Sequence, residues 1–192
     1  RAPGRIAWKD HDGDELVLTI GADATLASSG PPDLEALRAE ARQEADGGLV
    51  TAEFARAGRI PVARIITKQR DGLGSIYEGQ VRVPLKNGRA TISRRALEQG
   101  TTGVREATVT SFLFGHGVLR VPTGPLDGGP MKIEGWFLDP YDAAWDDGAI
   151  CALSDDERLD DLFDQHPLTR VRRWLADVVD TIHLDDSVRP EG

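Results

Sequence analysis

The residues best placed to do chemistry lie in Asp139-Pro140-Tyr141-Asp142, followed by Trp145, Asp146 and Asp147. Clustered carboxylates can hold a hard cation or divide acid and base roles, so Asp139, Asp142, Asp146 and Asp147 suggest a metal-dependent hydrolase, with His166 as a further participant. The competing reading is a solvated loop in which Asp side chains cap turns and helix starts. Trp136 and Trp145 beside these acids point elsewhere, because an aromatic anchor in a charged rim is the anatomy of a protein-binding patch. On that reading Trp136, Asp142, Trp145, Asp146 and Asp147 are the contact surface, although both rings suit a core equally well.

Other local signatures are incomplete. Asp10, Asp12 and Asp14 imitate the opening of a calcium loop, but Gly13 stands at the fourth place instead of the sixth and Gly21 occupies the place of the bidentate Glu. A turn is expected there. Gly72-Leu73-Gly74 lacks the third glycine of a nucleotide fingerprint and is followed by strand signals, so it too reads as a turn. The chain has no Walker lysine motif, no Gly-x-Ser-x-Gly elbow and no His-Glu-x-x-His pattern. His11, His116, His166 and His183 are scattered without ligand spacing, and Cys151 in Ala149-Ile150-Cys151-Ala152-Leu153 reads as a small core residue. No cofactor is expected.

Charge narrows the partner. The net charge is −9, and residues 139 to 164 carry ten acids against the single base Arg158, so that segment accounts for the whole imbalance. A polyanion would be repelled by that field, which excludes nucleic acid and favours a basic protein. No apolar run of about 18 residues exists, so membrane insertion is not expected. One cysteine cannot form an internal disulfide, which makes a reducing cytoplasm the simpler home.

These residues need a scaffold, and 192 residues suffice for one domain with its own core. Arg5 to Lys9 and Leu16 to Ile20 flank an Asp-Gly turn, which predicts an N-terminal hairpin. Gly30-Pro31-Pro32 opens a helix carrying Leu34, Leu37 and Ala41, closed by Gly47-Gly48. Tyr77, Gly79, Val81, Val83 and Leu85 alternate with polar residues, and Lys86-Asn87-Gly88 should turn the chain back through Ala90 and Ile92. Ala107 to Phe114 is read as another strand with a bulge, Gly115 to Gly129 as a loop, and Met131 to Leu138 as a last strand. Ser154-Asp155-Asp156-Glu157 has capping-box spacing and predicts a short helix. Leu168, Val171, Leu175, Val178 and Ile182 define an amphipathic C-terminal helix, with Pro167 at its start, His166 or Thr169 as its cap, and Arg170, Arg172 and Arg173 facing solvent or the acidic segment.

The expected class is therefore α+β: an antiparallel sheet with an N-terminal hairpin, one early helix and a C-terminal helix packed on the sheet, over residues 1–184, with 185–192 frayed. Gly100-Thr101-Thr102-Gly103-Val104-Arg105-Glu106 leading into a strand, and His166-Pro167-Leu168 opening the last helix, resemble the PsbP-like superfamily of small α/β/α sandwiches. That resemblance implies a non-enzymatic role as assembly factor, adaptor or, in bacteria, chaperone, with a sheet face used for a protein partner. The leading expectation is a cytoplasmic protein-binding domain that engages a basic partner through residues 139 to 164. A metal-dependent hydrolase and a structural subunit of a larger assembly are the alternatives.

Overall fold

The computed structural model describes residues 4–21, 33–45, 48–72, 74–120, 133, 135–141 and 150–188. Six strands, β1 (Gly4–Lys9), β2 (Glu15–Gly21), β3 (Leu49–Ala57), β4 (Ile60–Asp71), β5 (Gly74–Leu85) and β6 (Gly88–Leu97), form one antiparallel sheet in the order β1-β2-β6-β5-β4-β3. The class is α+β, as the alternating patterns imply.

Turn chemistry fixes the two hairpins that the sequence announces. Between β1 and β2, the Asp10 carboxylate accepts the amides of Asp12 and Asp14, and Gly13 takes the left-handed conformation, φ 76°, that a side chain resists. The calcium-like triplet is an arginine clamp: Asp10, Asp12 and Asp14 all meet Arg94 of β6, and Asp14 also meets Arg170. Lys86 and Asn87 turn β5 into β6, pairing Leu85 with Gly88 and placing Val83 opposite Ala90.

Helices cover both faces, and the period of two along each strand decides which residues meet which helix. Helix α1 (Leu34–Ala45) begins where the Asp33 carboxylate accepts the Ala36 amide, and buries Leu37, Ala41 and Ala45 against Leu49, Ala52, Ala63 and Ile65. The C-terminal helix α3 (Pro167–Thr181) lies over β3 to β6 on the opposite face, packing Leu168, Val171, Leu175 and Val179 against Val62, Ile66, Tyr77, Val81 and Val83. Val178 and Ile182, expected on its buried stripe, sit partly buried at that core's rim. Gly79 permits the close approach, because a Cβ there would lie 2.5 Å from Val171 Cγ1 and 3.3 Å from Leu175.

Three expectations are corrected. Ala107–Phe114 is no strand: it lies in helix α2 (Val104–Gly115). The change of apolar side that suggested a bulge is helical spacing, since Arg105 and Val109 are buried and Leu113, four residues further on, packs in the same cluster as Val109. The Gly100–Glu106 stretch therefore leads into a helix. Within Met131–Leu138, the described residues make only an isolated bridge, Phe137 to Ala152, because Gly135 at φ 75° breaks the extended chain; residues 131, 132 and 134 lie outside the described residues. The short helix expected at the capping box is present, but as 3₁₀ turns, and Asp156, which accepts the Arg158 amide, caps the longer of them in place of Ser154. Two 3₁₀ helices, Leu153–Asp155 and Glu157–Leu162, stand there, and the Asp155 carboxylate, drawn inward, accepts the Ala152 amide. At the C-terminus, residues 185–188 form a turn whose Val188 carbonyl accepts the Lys86 amide. Among the described residues, no helix is long and apolar enough to cross a membrane.

Candidate functional site

Where β4, β5 and β6 meet the start of α3, polar side chains replace the core. Lys68 and Tyr77 face each other across β4 and β5, and Tyr77 is paired in turn with Ala96 of β6. Lys68 follows Val62 and Ile66 on the inward period of β4, so its ammonium is carried into the interior. Four neighbours converge on this row: Glu98 just past β6, Glu106 in the first turn of α2, Asp155 in the first 3₁₀ helix, and His166 at the N-cap of α3.

The geometry is that of a charged network with loose ends. Lys68 Nζ donates to both Asp155 oxygens, at 3.0 and 3.2 Å, and lies 3.5 Å from Glu106 Oε1. The Tyr77 hydroxyl donates to Asp155 Oδ1 at 2.7 Å, and burial, reinforced by the Asp155 charge, holds the phenol's pKa well above 10. Glu98 accepts the Gly103 and Ser75 amides, yet burial pushes its carboxyl above the ordinary range. His166 Nδ1 accepts the Leu168 amide at 3.3 Å, and Nε2 lies 3.6 Å from Glu98 Oε1, beyond hydrogen-bond range. Burial, then the cations Arg105 and Lys68, pull His166 down to about 3, so the ring is neutral at pH 7. Two atoms in this cluster are buried without a partner: His166 Nε2 and Glu106 Oε2.

Arg105 frames the network. Its guanidinium donates to the Ser154 and Asp156 carbonyls, to Asp160 and to the Thr169 hydroxyl, tying α2 to the 3₁₀ segment and to α3. Arg172 adds bonds to Asp160 and to the Asp155 carbonyl. A cleft of about 290 Å³ opens beside this frame, lined by Glu98, Val104, Arg105, Phe163 and His166 among others.

The residues singled out from the sequence separate. Asp142, Trp145, Asp146 and Asp147 lie outside the described residues. Trp136 is only 6% exposed and packs with Val109, Leu119 and Ala152, so its ring belongs to the interior. Asp139 is buried in a bidentate pair with Arg42 of α1, at 3.0 and 3.1 Å, and accepts the Tyr141 amide. The Tyr141 hydroxyl accepts the Ala52 amide of β3, and Arg38 stacks over its ring. Among the described residues of the acidic segment, Asp139 is held by Arg42 of α1, Asp155 by Lys68 of β4, and Asp160 by Arg105 of α2 and Arg172 of α3. Arg170 and Arg172 do pair with acids as expected, Arg170 with Asp14 and Arg172 with Asp160.

Sequence reasoning missed Lys68, Glu98, Glu106 and Asp155 as a group, since they are far apart along the chain. One signal was present: Lys68 falls on the same period of two as Val62 and Ile66 of β4. Cys151 is a buried core thiol, as expected, whose pKa is pushed up to about 12 chiefly by burial. Compared with protein-family models and with curated proteins, the chain matches none.

Proposed function

We propose that this chain is a protein-binding domain whose docking element is the β1–β2 end of the sheet. One observation carries the reading: β1 is an open edge strand, exposed along all six residues, and it displays Ile6 (62% exposed), Trp8 (45%) and, from β2, Ile20 (49%) on a single face. That face is the one α3 covers over β3 to β6 but leaves bare here. The far edge is treated differently, since β3 is fastened by Tyr141 to the Asp139 segment. Edges left open are templates for a strand from another chain, and natural proteins blunt them with proline, bulges or inward charges. β1 has neither proline nor bulge, and its charges, Arg5 and Lys9, lie together on the face opposite Ile6 and Trp8.

The opposite face of β1 carries Arg5 and Lys9. An added strand that alternates apolar residues, over Ile6 and Trp8, with acidic ones, over Arg5 and Lys9, satisfies both faces. This surface differs from the one expected from the sequence, because the described acids of residues 139–164 that are buried serve internal pairs.

Selection from a random displayed-peptide library tests the proposal. Enriched peptides should alternate apolar and acidic residues and lose binding in Ile6→Asp and Trp8→Asp, substitutions at exposed positions that leave the core intact. Binders that are basic, survive those changes and are lost when Asp142, Asp146 and Asp147 are reversed to Lys would place the contact on the acidic segment instead.

A further inference from the structure

The loose ends beside Lys68 have a common aim. His166 Nε2, Glu98 and Glu106 each offer a donor atom, and these atoms all lie within 4.8 Å of one another. The His166 side chain is only 6% exposed and its Nε2 has no hydrogen-bond partner, and neither has Glu106 Oε2. Leaving a buried polar atom unmade costs about 1–3 kcal/mol, so two such atoms on residues of one cluster mark a place that something should fill.

We infer that Glu98, Glu106 and His166 form a binding site for one divalent first-row transition ion of the zinc type, independent of the β1 surface.

Three features of the site carry this. The donor set mixes one imidazole nitrogen with two carboxylates, which suits zinc, manganese or cobalt, whereas calcium and magnesium take oxygen ligands. Spacing is near what an ion needs: tetrahedral donors about 2.1 Å from a metal are about 3.4 Å apart, so with His166 Nε2 already 3.6 Å from Glu98 Oε1 the contraction needed is at most about 1.4 Å. Rotation of the Glu106 side chain, which sits partly exposed on the first turn of α2, supplies it. Finally, the neighbouring cation is already held elsewhere. Lys68 leans on Asp155 through two short contacts, touching Glu106 only at Oε1 and leaving Oε2 free. Glu98 and His166 also line the cleft of about 290 Å³, which gives an ion its way in.

Binding has a built-in marker. In the ion-free state Nδ1 accepts the Leu168 amide, so the ring proton is on Nε2. Coordination through Nε2 moves that proton to Nδ1 and removes the acceptor from Leu168 N–H. The ion therefore exchanges a 3.3 Å cap bond for a coordinate bond, and the Leu168 amide reports it.

The test is a titration of EDTA-dialysed full-length protein with cobalt(II), followed by visible absorption and by the amide spectrum, with zinc as competitor. One equivalent should bind, with ligand-field bands that zinc abolishes and a shifted Leu168 amide. Glu106→Gln, which keeps shape, and His166→Asn, which keeps a capping acceptor, should each weaken binding by more than the roughly 10–100-fold that loss of an outer-shell partner costs. Far-UV spectra of the ion-free variants check their folding, and the wild-type titration decides the matter even where a variant unfolds. Absence of stoichiometric cobalt would overturn the inference and leave a buried water between His166 and the two carboxylates. So would cobalt that leaves the Leu168 amide unmoved and is lost instead in Asp12→Asn, which assigns the ion to the exposed Asp10-His11-Asp12 group.

Discussion

Removing the charge of Asp155 while keeping its shape, in Asp155→Asn, tests whether the polar network is a unit. The variant still offers one oxygen to the Tyr77 hydroxyl, but its amide nitrogen then meets the Ala152 N–H as well as Lys68, whose ammonium is left with only Glu106, 3.5 Å away, as counter-charge. Breaking a buried pair by removing one partner costs about 3–5 kcal/mol, and the Glu106 contact puts this case at the low end, about 3 kcal/mol. For a chain of 192 residues that corresponds to a drop in Tm of about 6–12 °C. Lys68→Met strands Asp155 instead. That carboxylate keeps bonds from Tyr77 and the Ala152 amide, so the cost is smaller, about 2 kcal/mol. In the double variant each change has already removed the other's partner, and the costs should fall short of their sum by about 1.5 kcal/mol or more. Urea unfolding at pH 7, followed by tryptophan emission, measures all three. Additivity within about 0.5 kcal/mol, or single costs below that figure, would refute the claim that the pair is buried and coupled.

Gly79→Ala places a methyl 2.5 Å from Val171 Cγ1, and the overpacking should cost about 1–3 kcal/mol in the same assay; an unchanged urea midpoint would show that α3 does not sit so close to β5. Cys151 is buried and its thiol is pushed up to about 12, so at pH 8 iodoacetamide should label the native protein at least about a hundredfold more slowly than the urea-unfolded chain, and equal rates would argue against this packing.

How much of this was legible depended on the range of the cause. The hairpins, α1 and α3 were read from local signals: the Asp-Gly turn at Gly13, Asn87-Gly88, the stripe of Leu34, Leu37 and Ala41, Pro167 and the spacing of Leu168, Val171 and Leu175. Helix α2 was hidden because Thr108, Val109, Thr110 and Phe112 are strand-prone types, and what makes the segment helical is tertiary. Arg105 must reach Ser154, Asp156, Asp160 and Thr169 from the same face that Val109 buries. The 3₁₀ segment was misread for a related reason. Asp155 answers Lys68 and Tyr77, residues 87 and 78 positions away, in preference to its own helix. Of the network, His166 was singled out as a helix cap, which it is, and as a participant beside the Asp cluster, while Asp155 was read only as part of a capping box.

The charge distribution illustrates why a count along the chain can mislead about a surface. Ten acids in 139–164 look like an exposed patch opposite a neutral remainder. In three dimensions Asp139, Asp155 and Asp160 are counter-ions to Arg42, Lys68, Arg105 and Arg172, contributed by α1, β4, α2 and α3. Each such pair neutralises an acid of the segment but also withdraws a base from the remainder, so part of the −9 moves off the segment and onto the rest of the molecule. The other seven acids take no part in those pairs, so what favours the β1 edge is what it presents itself: Ile6, Trp8, the exposed cations Arg5 and Lys9 and an edge backbone within six residues. On the proposed reading, backbone pairing carries the contact and the acidic contacts to exposed Arg5 and Lys9 add to it, so added salt should weaken binding without abolishing it.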